Sequence, residues 1–149
     1  MTSSVPSLLR VLVVASDPSS LASVVGPLRD LGHEVTSADD AAAAVRLAGS
    51  RPDVIVIDHQ LSDLSGAHLC GRLKTQPATA LIPILQLAPA ESVARASGSG
   101  LGATADGFLA HPVDPEKLGL AIRALADHER LSQLAPPSEE EEEDPAIGP

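Results

Sequence analysis

A chain of 149 residues, 44% of them hydrophobic, has the length of one ordinary domain with a real core. Phe108 is its single aromatic residue, so the core must be Leu, Val, Ile and Ala, and no platform exists on which bases could stack. The formal charge is −10, six of the negatives falling in 139–144. Scattered Arg and Lys argue against nucleic-acid binding. A lone cysteine excludes an internal disulfide and fits a reducing cytoplasm, and no signal-peptide layout or membrane-length apolar segment is present.

In chain order, residues 1–9 are Ser-rich and read as a flexible N-terminal arm. Residues 10–15 form an apolar strand, and Asp17-Pro18 opens a helix, since Asp caps well and Pro suits the first turn. Leu21, Val24, Val25, Leu28 and Leu31 give that helix one apolar face up to Gly32, and Pro27 inside it should remove a hydrogen bond. Residues 34–37 are a half-polar edge strand. Asp39 or Asp40 caps an Ala-rich helix over 41–48. Residues 54–57 are four apolar, β-branched positions in a row, the pattern of a parallel strand buried on both faces. Ser65 caps a helix over 66–74 with Leu69 and Leu73 inward. A strand follows over 82–87, with Pro83 near its start. A helix over 91–96 should fray into the Gly/Ser segment 97–102. Residues 107–110 are a fifth strand, and Pro115 opens a final helix to about 133 with Leu118, Ile122, Leu125 and Ala126 inward. Residues 135–149 read as an acidic, Pro/Glu-rich disordered tail, or as a linker toward a further output domain.

Five strands alternating with five helices predict an α/β domain over 10–134: a doubly wound five-stranded parallel sheet in a flavodoxin-like (βα)5 sandwich. Asp58 is the first polar residue past the carboxyl end of the central strand, the edge at which such sheets carry ligands. It either carries chemistry there or only ends the strand and caps the turn.

Several segments decide between these: Arg10-Val-Leu-Val-Val, Gly32-His-Glu-Val, Pro52-Asp-Val-Ile-Val-Ile-Asp58, Leu61-Ser-Asp-Leu-Ser-Gly66, Cys70-Gly-Arg-Leu-Lys74 with Ile82-Pro-Ile, and Ala105-Asp-Gly-Phe-Leu-Ala-His-Pro-Val-Asp-Pro-Glu-Lys-Leu118. In order and spacing the chain resembles, over residues 10 to about 130, the receiver domain of bacterial two-component response regulators. The resemblance implies that Asp58 stands where a partner histidine kinase phosphorylates the family. A carboxylate attacks a phosphoryl group only if charge is neutralised, usually by Mg²⁺ and a cation. The family supplies two acids after the first strand, a Thr or Ser after the fourth and a Lys after the fifth.

This chain departs at every one of those supporting positions. Ala15 and Ser16 replace the acidic pair, with Asp17 one residue further on. Ala88 replaces the Thr or Ser, and His111 the Lys, although Pro112 keeps the Lys-Pro pattern and its expected cis peptide. Asp58 with the Gln60 carbonyl, and Asp17 at most, would be poor ligands for Mg²⁺, so no metal or other cofactor is expected. Phe108 aligns with the family's aromatic switch and is either that or a plain core or surface aromatic. The expectation is an atypical receiver, not an enzyme, that acts by docking a histidine kinase or downstream effector through the fourth helix, fifth strand and fifth helix (91–96, 108–110 and 115–133), with a weak homodimer open on the same face.

The alternative is a working phosphoacceptor. There Asp17 would stand in for the acidic pair and His111 for the Lys, with Asp63 and Asp114 as further carboxylates and Mg²⁺ as cofactor. A flavin or cobalamin site on the same fold is disfavoured, because aromatics to sandwich a flavin are absent and Asp58-His59 does not fit an Asp-x-His-x-x-Gly loop. Cys70 reads as a small buried apolar residue, and His33, His59, His68 and His128, lacking metal-ligand spacing, as surface residues.

Overall fold

The computed structural model describes residues 8–91 and 105–134, with side chains of the last helix described as far as Glu129. In chain order the elements are β1 (Arg10–Val14), α1 (Pro18–Asp30), β2 (Glu34–Ala38), α2 (Ala41–Ala48), β3 (Val54–Ile57), α3 (Gly66–Lys74), β4 (Ile84–Pro89), β5 (Gly107–His111) and α4 (Pro115–Leu134). The five strands form one parallel sheet in the order β2-β1-β3-β4-β5. The expected doubly wound α/β sandwich is therefore the fold, with β3 central and β2 at an edge.

Alternation along the strands builds two cores. Leu12, Val14, Ile55, Ile57 and Ile84 face α2 and α3, where they meet Ala44, Leu69, Cys70 and Leu73. Val11, Val13, Val54, Val56, Leu85 and Leu87 face α1 and α4, where they meet Val24, Leu28, Leu118 and Ile122. All four residues of β3 are buried, as a strand covered by helices on both faces requires.

Three helix starts follow from local chemistry. The side chains of Asp17, Asp40 and Ser65 accept from the backbone N–H of Ser20, Ala43 and His68, so Asp40 rather than Asp39 caps α2. Helix α1 runs through Pro27 to Asp30, and Gly32 follows with φ +94°, which a residue with a Cβ rarely adopts.

Four expectations are corrected. Leu9, placed in the flexible arm, is buried: its N–H donates to Nδ1 of His33 over 3.0 Å and its carbonyl accepts from Glu34. His33 is accordingly a buried residue, not a surface one. Leu31 sits at the end of α1 and is 55% exposed, off the inner face. Strand β4 starts at Ile84 and runs to Pro89, two residues later at both ends than expected. Pro83 has no N–H to offer a ladder and only accepts, from Ile55. The expected 91–96 helix beyond Glu91, the 97–102 segment, residues 1–7 and the 135–149 tail lie outside the described residues. Among the described residues no helix is long and apolar enough to cross a membrane.

Candidate functional site

The carboxyl edge of the sheet gathers the site. Asp58 follows β3 and is 4% exposed; its N–H donates to the Val14 carbonyl, which ties it to the end of β1. The loop after it closes at once. Gly66 N–H donates to the His59 carbonyl over 2.8 Å, Leu61 N–H to Leu64, and Gln60 forms an isolated bridge with Ser65. A Cβ at Gly66 would collide with the carbonyl oxygen of Asp58, so this close approach of backbone to backbone needs glycine.

One oxygen of Asp58 receives three hydrogen bonds. The His59 N–H donates to Oδ1 over 2.8 Å, His59 Nδ1 lies 3.2 Å away and His111 Nε2 2.9 Å away. An ionised carboxylate only accepts, so the tautomers assigned to these contacts are those with the hydrogen on each of these ring nitrogens. The two imidazoles meet edge to face, with centroids 5.7 Å apart and planes at 64°. His111 is placed by the last register pair of the sheet, Pro89 with His111, and precedes a cis peptide to Pro112.

His59 was expected on the surface; its side chain is 37% exposed, and its ring also meets Asp58. No spacing along the chain announces it. The available signal was an imidazole directly after the strand-end aspartate together with one at the family's lysine position.

The other expected site residues lie nearby without joining the cluster. Ala15 is buried and its N–H donates to Ala38, and Ala88 is buried opposite Ala110 in the sheet. Ser16 Oγ donates to the Asp39 carbonyl over 2.6 Å and accepts from Ser62 N–H over 2.8 Å, so it fastens three loops together. Phe108 is half-buried on β5.

The remaining carboxylates sit at helix starts. Asp17 accepts from Ser19 Oγ and Ser20 N–H, and these bonds hold its carboxyl below the usual range. Asp63 accepts from Ala41 and Ala42 at the start of α2, which lowers it likewise. Asp114 accepts from Glu116 N–H at the start of α4. Among the described residues, the one group of three or more side chains able to ligate a metal is Asp58, His59 and His111. Magnesium takes oxygen ligands in near-octahedral geometry. One carboxylate flanked by two imidazole nitrogens does not fit it.

Cys70 behaves as expected. Its thiol is buried, its Sγ–H reaches Gln86 Oε1 over 3.7 Å, and burial pushes its pKa up to about 12. His68 and His128 are exposed.

A five-stranded parallel sheet in this order, with an aspartate ending its third strand and a cis X-Pro peptide ending its fifth, defines a signal-receiver fold. The chain belongs to the response regulator receiver family, whose family model matches residues 11–123. It is 31% identical over 141 residues to the alkaline phosphatase synthesis transcriptional regulatory protein PhoP of Bacillus subtilis, covering 93% of this chain and 56% of that protein. It is 37% identical over 122 residues to the gliding motility regulatory protein of Myxococcus xanthus, covering 79% of this chain and 15% of that protein. The chain thus spans about half, or much less, of these relatives' length. Among solved structures it resembles the chemotaxis response regulator CheY4 of Vibrio cholerae, with TM-score 0.70, 28% identity and 80% and 99% of the two chains covered. It also resembles the receiver domain of the sensor histidine kinase PA1611 of Pseudomonas aeruginosa PAO1, solved with a magnesium ion coordinated in its active-site cleft. There the TM-score is 0.70 and the identity 27%, with 80% and 98% of the two chains covered.

Proposed function

We propose that this receiver transmits a signal by docking a protein partner, a histidine kinase or a downstream effector, with little or no magnesium-dependent phosphorylation of Asp58. The observation that carries this reading is the occupation of Asp58 Oδ1 by two imidazoles and a backbone N–H. A phosphoryl donor needs that carboxylate free to attack and its own charge neutralised. Here one carboxylate oxygen is engaged by three donors, and among the described residues no second carboxylate stands beside the other oxygen to help hold a neutralising Mg²⁺. Asp17, Asp63 and Asp114 are held at helix starts, and Ala88 offers no hydroxyl.

The expected docking face draws support from its described part. Phe108 is half-buried on β5 and Leu120 of α4 is 68% exposed. A groove of about 740 Å³ lined by Pro27, Leu31, Pro115, Gly119 and Leu120 lies between α1 and α4 and is separate from the β5 side of that face. Exposed apolar surface of this kind marks contact sites more often than chance.

The test is intact mass after incubation with Mg²⁺ and acetyl phosphate. The wild type is run beside Asp58→Asn and beside a variant given the family's residues: Ala15→Asp, Ser16→Asp, Ala88→Thr and His111→Lys. An adduct on the four-residue variant and none on the wild type is the expected result. A phosphoryl adduct on the wild type that Asp58→Asn abolishes sinks the reading.

A further inference from the structure

Asp58, His59 and His111 each present one ligand atom, and all three atoms lie within 4.8 Å of one another. We propose that they form a binding site for a borderline divalent transition metal, zinc first, with a further coordination position open to water. Imidazole nitrogen with a single carboxylate oxygen is the donor set that suits zinc and its neighbours, whereas magnesium and calcium want oxygen alone.

The spacing agrees. Zinc bonds of about 2.0 Å to nitrogen and oxygen in a tetrahedron put neighbouring ligand atoms about 3.3 Å apart. Asp58 Oδ1 is 3.2 Å from His59 Nδ1 and 2.9 Å from His111 Nε2. The two ring N–H groups already aim at one oxygen. Each ring nitrogen must be bare to ligate, so on binding its hydrogen goes to the other ring nitrogen or to solvent, and the metal takes the place between the three atoms.

The ligands are also well held. Asp58 is fixed by its N–H on Val14, His59 by its N–H on Asp58 and its carbonyl on Gly66, and His111 by the β4–β5 ladder. The side chains of His59 and His111 keep 37% and 25% of their surface, so the metal has a way in and a water has room.

The assignment does not rest on the docking reading, since a receiver that works by docking or by phosphorylation can hold the metal while Asp58 is unphosphorylated. Its readout is separate as well. Untagged full-length chain is equilibrated with ZnCl₂ or MgCl₂, passed through gel filtration and weighed by native mass spectrometry, and Co²⁺ is added to a second sample for its visible ligand-field absorption. One zinc per chain, no retained magnesium and a Co²⁺ band are expected. Retention should weaken by more than about a hundredfold in His59→Asn and in His111→Asn, beyond the roughly 10–100-fold that loss of an outer-shell partner costs. His68→Asn with His128→Asn should change nothing. His111→Lys keeps a cation beside Asp58, as in the family, and should fold yet lose zinc, which separates metal loss from misfolding. No retained zinc overturns the assignment, as does zinc that survives loss of both His59 and His111 or that needs His68 and His128.

Discussion

Nε2 of His111 lies 2.9 Å from Oδ1 of Asp58, although the two residues are 53 positions apart in sequence. The pair joins β3 to β5 across the end of β4, at the place where the family sets a lysine against its aspartate. The Asp58 side chain is 5% exposed and that of His111 is 25% exposed, so the bond is sheltered on one side and reachable by water on the other.

Hydrogen bonds to a charged group are worth about 1.5–3 kcal/mol when the group is sheltered. His111→Ala should therefore lower stability by about 1–2 kcal/mol, since water reaches the vacated side. Asp58→Asn keeps an oxygen for the same donors and should cost less than about 1 kcal/mol. In the Asp58→Asn background, His111→Ala should cost clearly less than it does alone. Urea unfolding of the four proteins at constant m measures this coupling. Equal costs in the two backgrounds would mean that the charge of Asp58 adds nothing to the contact.

How much of this was legible in the sequence differs by residue. The bounds 54–57, 41–48 and 66–74 could be read because each rests on a local cause: a strand covered on both faces leaves an unbroken apolar run, and Asp40 and Ser65 cap through their own side chains. Asp58 as the end of the central strand followed from the same run. The imidazole pair did not, because His59 and His111 meet only through the strand order β3-β4-β5. Leu9 and His33, 24 positions apart, are a second case: a histidine facing a backbone N–H has no sequence signature. Asp17, Asp63 and Asp114 all looked available as ligands. Asp17 was legible as the cap of α1, but the sequence could not show that Asp63 is engaged by Ala41, 22 positions away, or Asp114 by Glu116 at the start of α4.

Gly66 holds Asp58 from behind. A Cβ there would overlap the Asp58 carbonyl, and the obstacle is backbone, which cannot swing away as a side chain can. Gly66→Ala should cost about 1–3 kcal/mol, as overpacking does, and should shift the amide resonances of Asp58 and His59. Gly71 of α3 has nothing within 4 Å of its would-be Cβ, so Gly71→Ala should stabilise by about 0.5–1 kcal/mol. Thermal melts of the two variants side by side provide the check. A Gly66→Ala variant as stable as the wild type would show that the loop can move away freely.

Ser16 stands where the family places an acid, and its hydroxyl serves a different purpose. It donates to Asp39 over 2.6 Å and accepts from Ser62 over 2.8 Å, clamping the loops after β1, β2 and β3. Ser16→Ala should cost about 1 kcal/mol and speed amide hydrogen exchange at Ser62. Exchange at Ser62 that is unchanged in the variant would show that the clamp is not formed in solution.

His33 makes the fold sensitive to mild acid. Its Nδ1 accepts from the N–H of Leu9, which requires that nitrogen to be bare, and burial, with Arg123 as a second cause, pushes its pKa below the ordinary 6.5. Between the lowered folded value and 6.5 the unfolded chain takes up a proton that the folded one refuses, so stability rises with pH across that window. Above 6.5 the His33 contribution is fully present and flat; below, it is progressively lost until the folded value is passed. Asp17 and Asp63 have folded values below their ordinary 3.8, so their contributions fade only in stronger acid. His33→Gln offers a carbonyl oxygen to the Leu9 N–H but no titrating ring. Relative to this variant, the wild type should lose urea midpoint as pH is lowered through and below 6.5, and the difference should be constant above it. A difference that does not vary with pH would mean that the ring is not held neutral against Leu9.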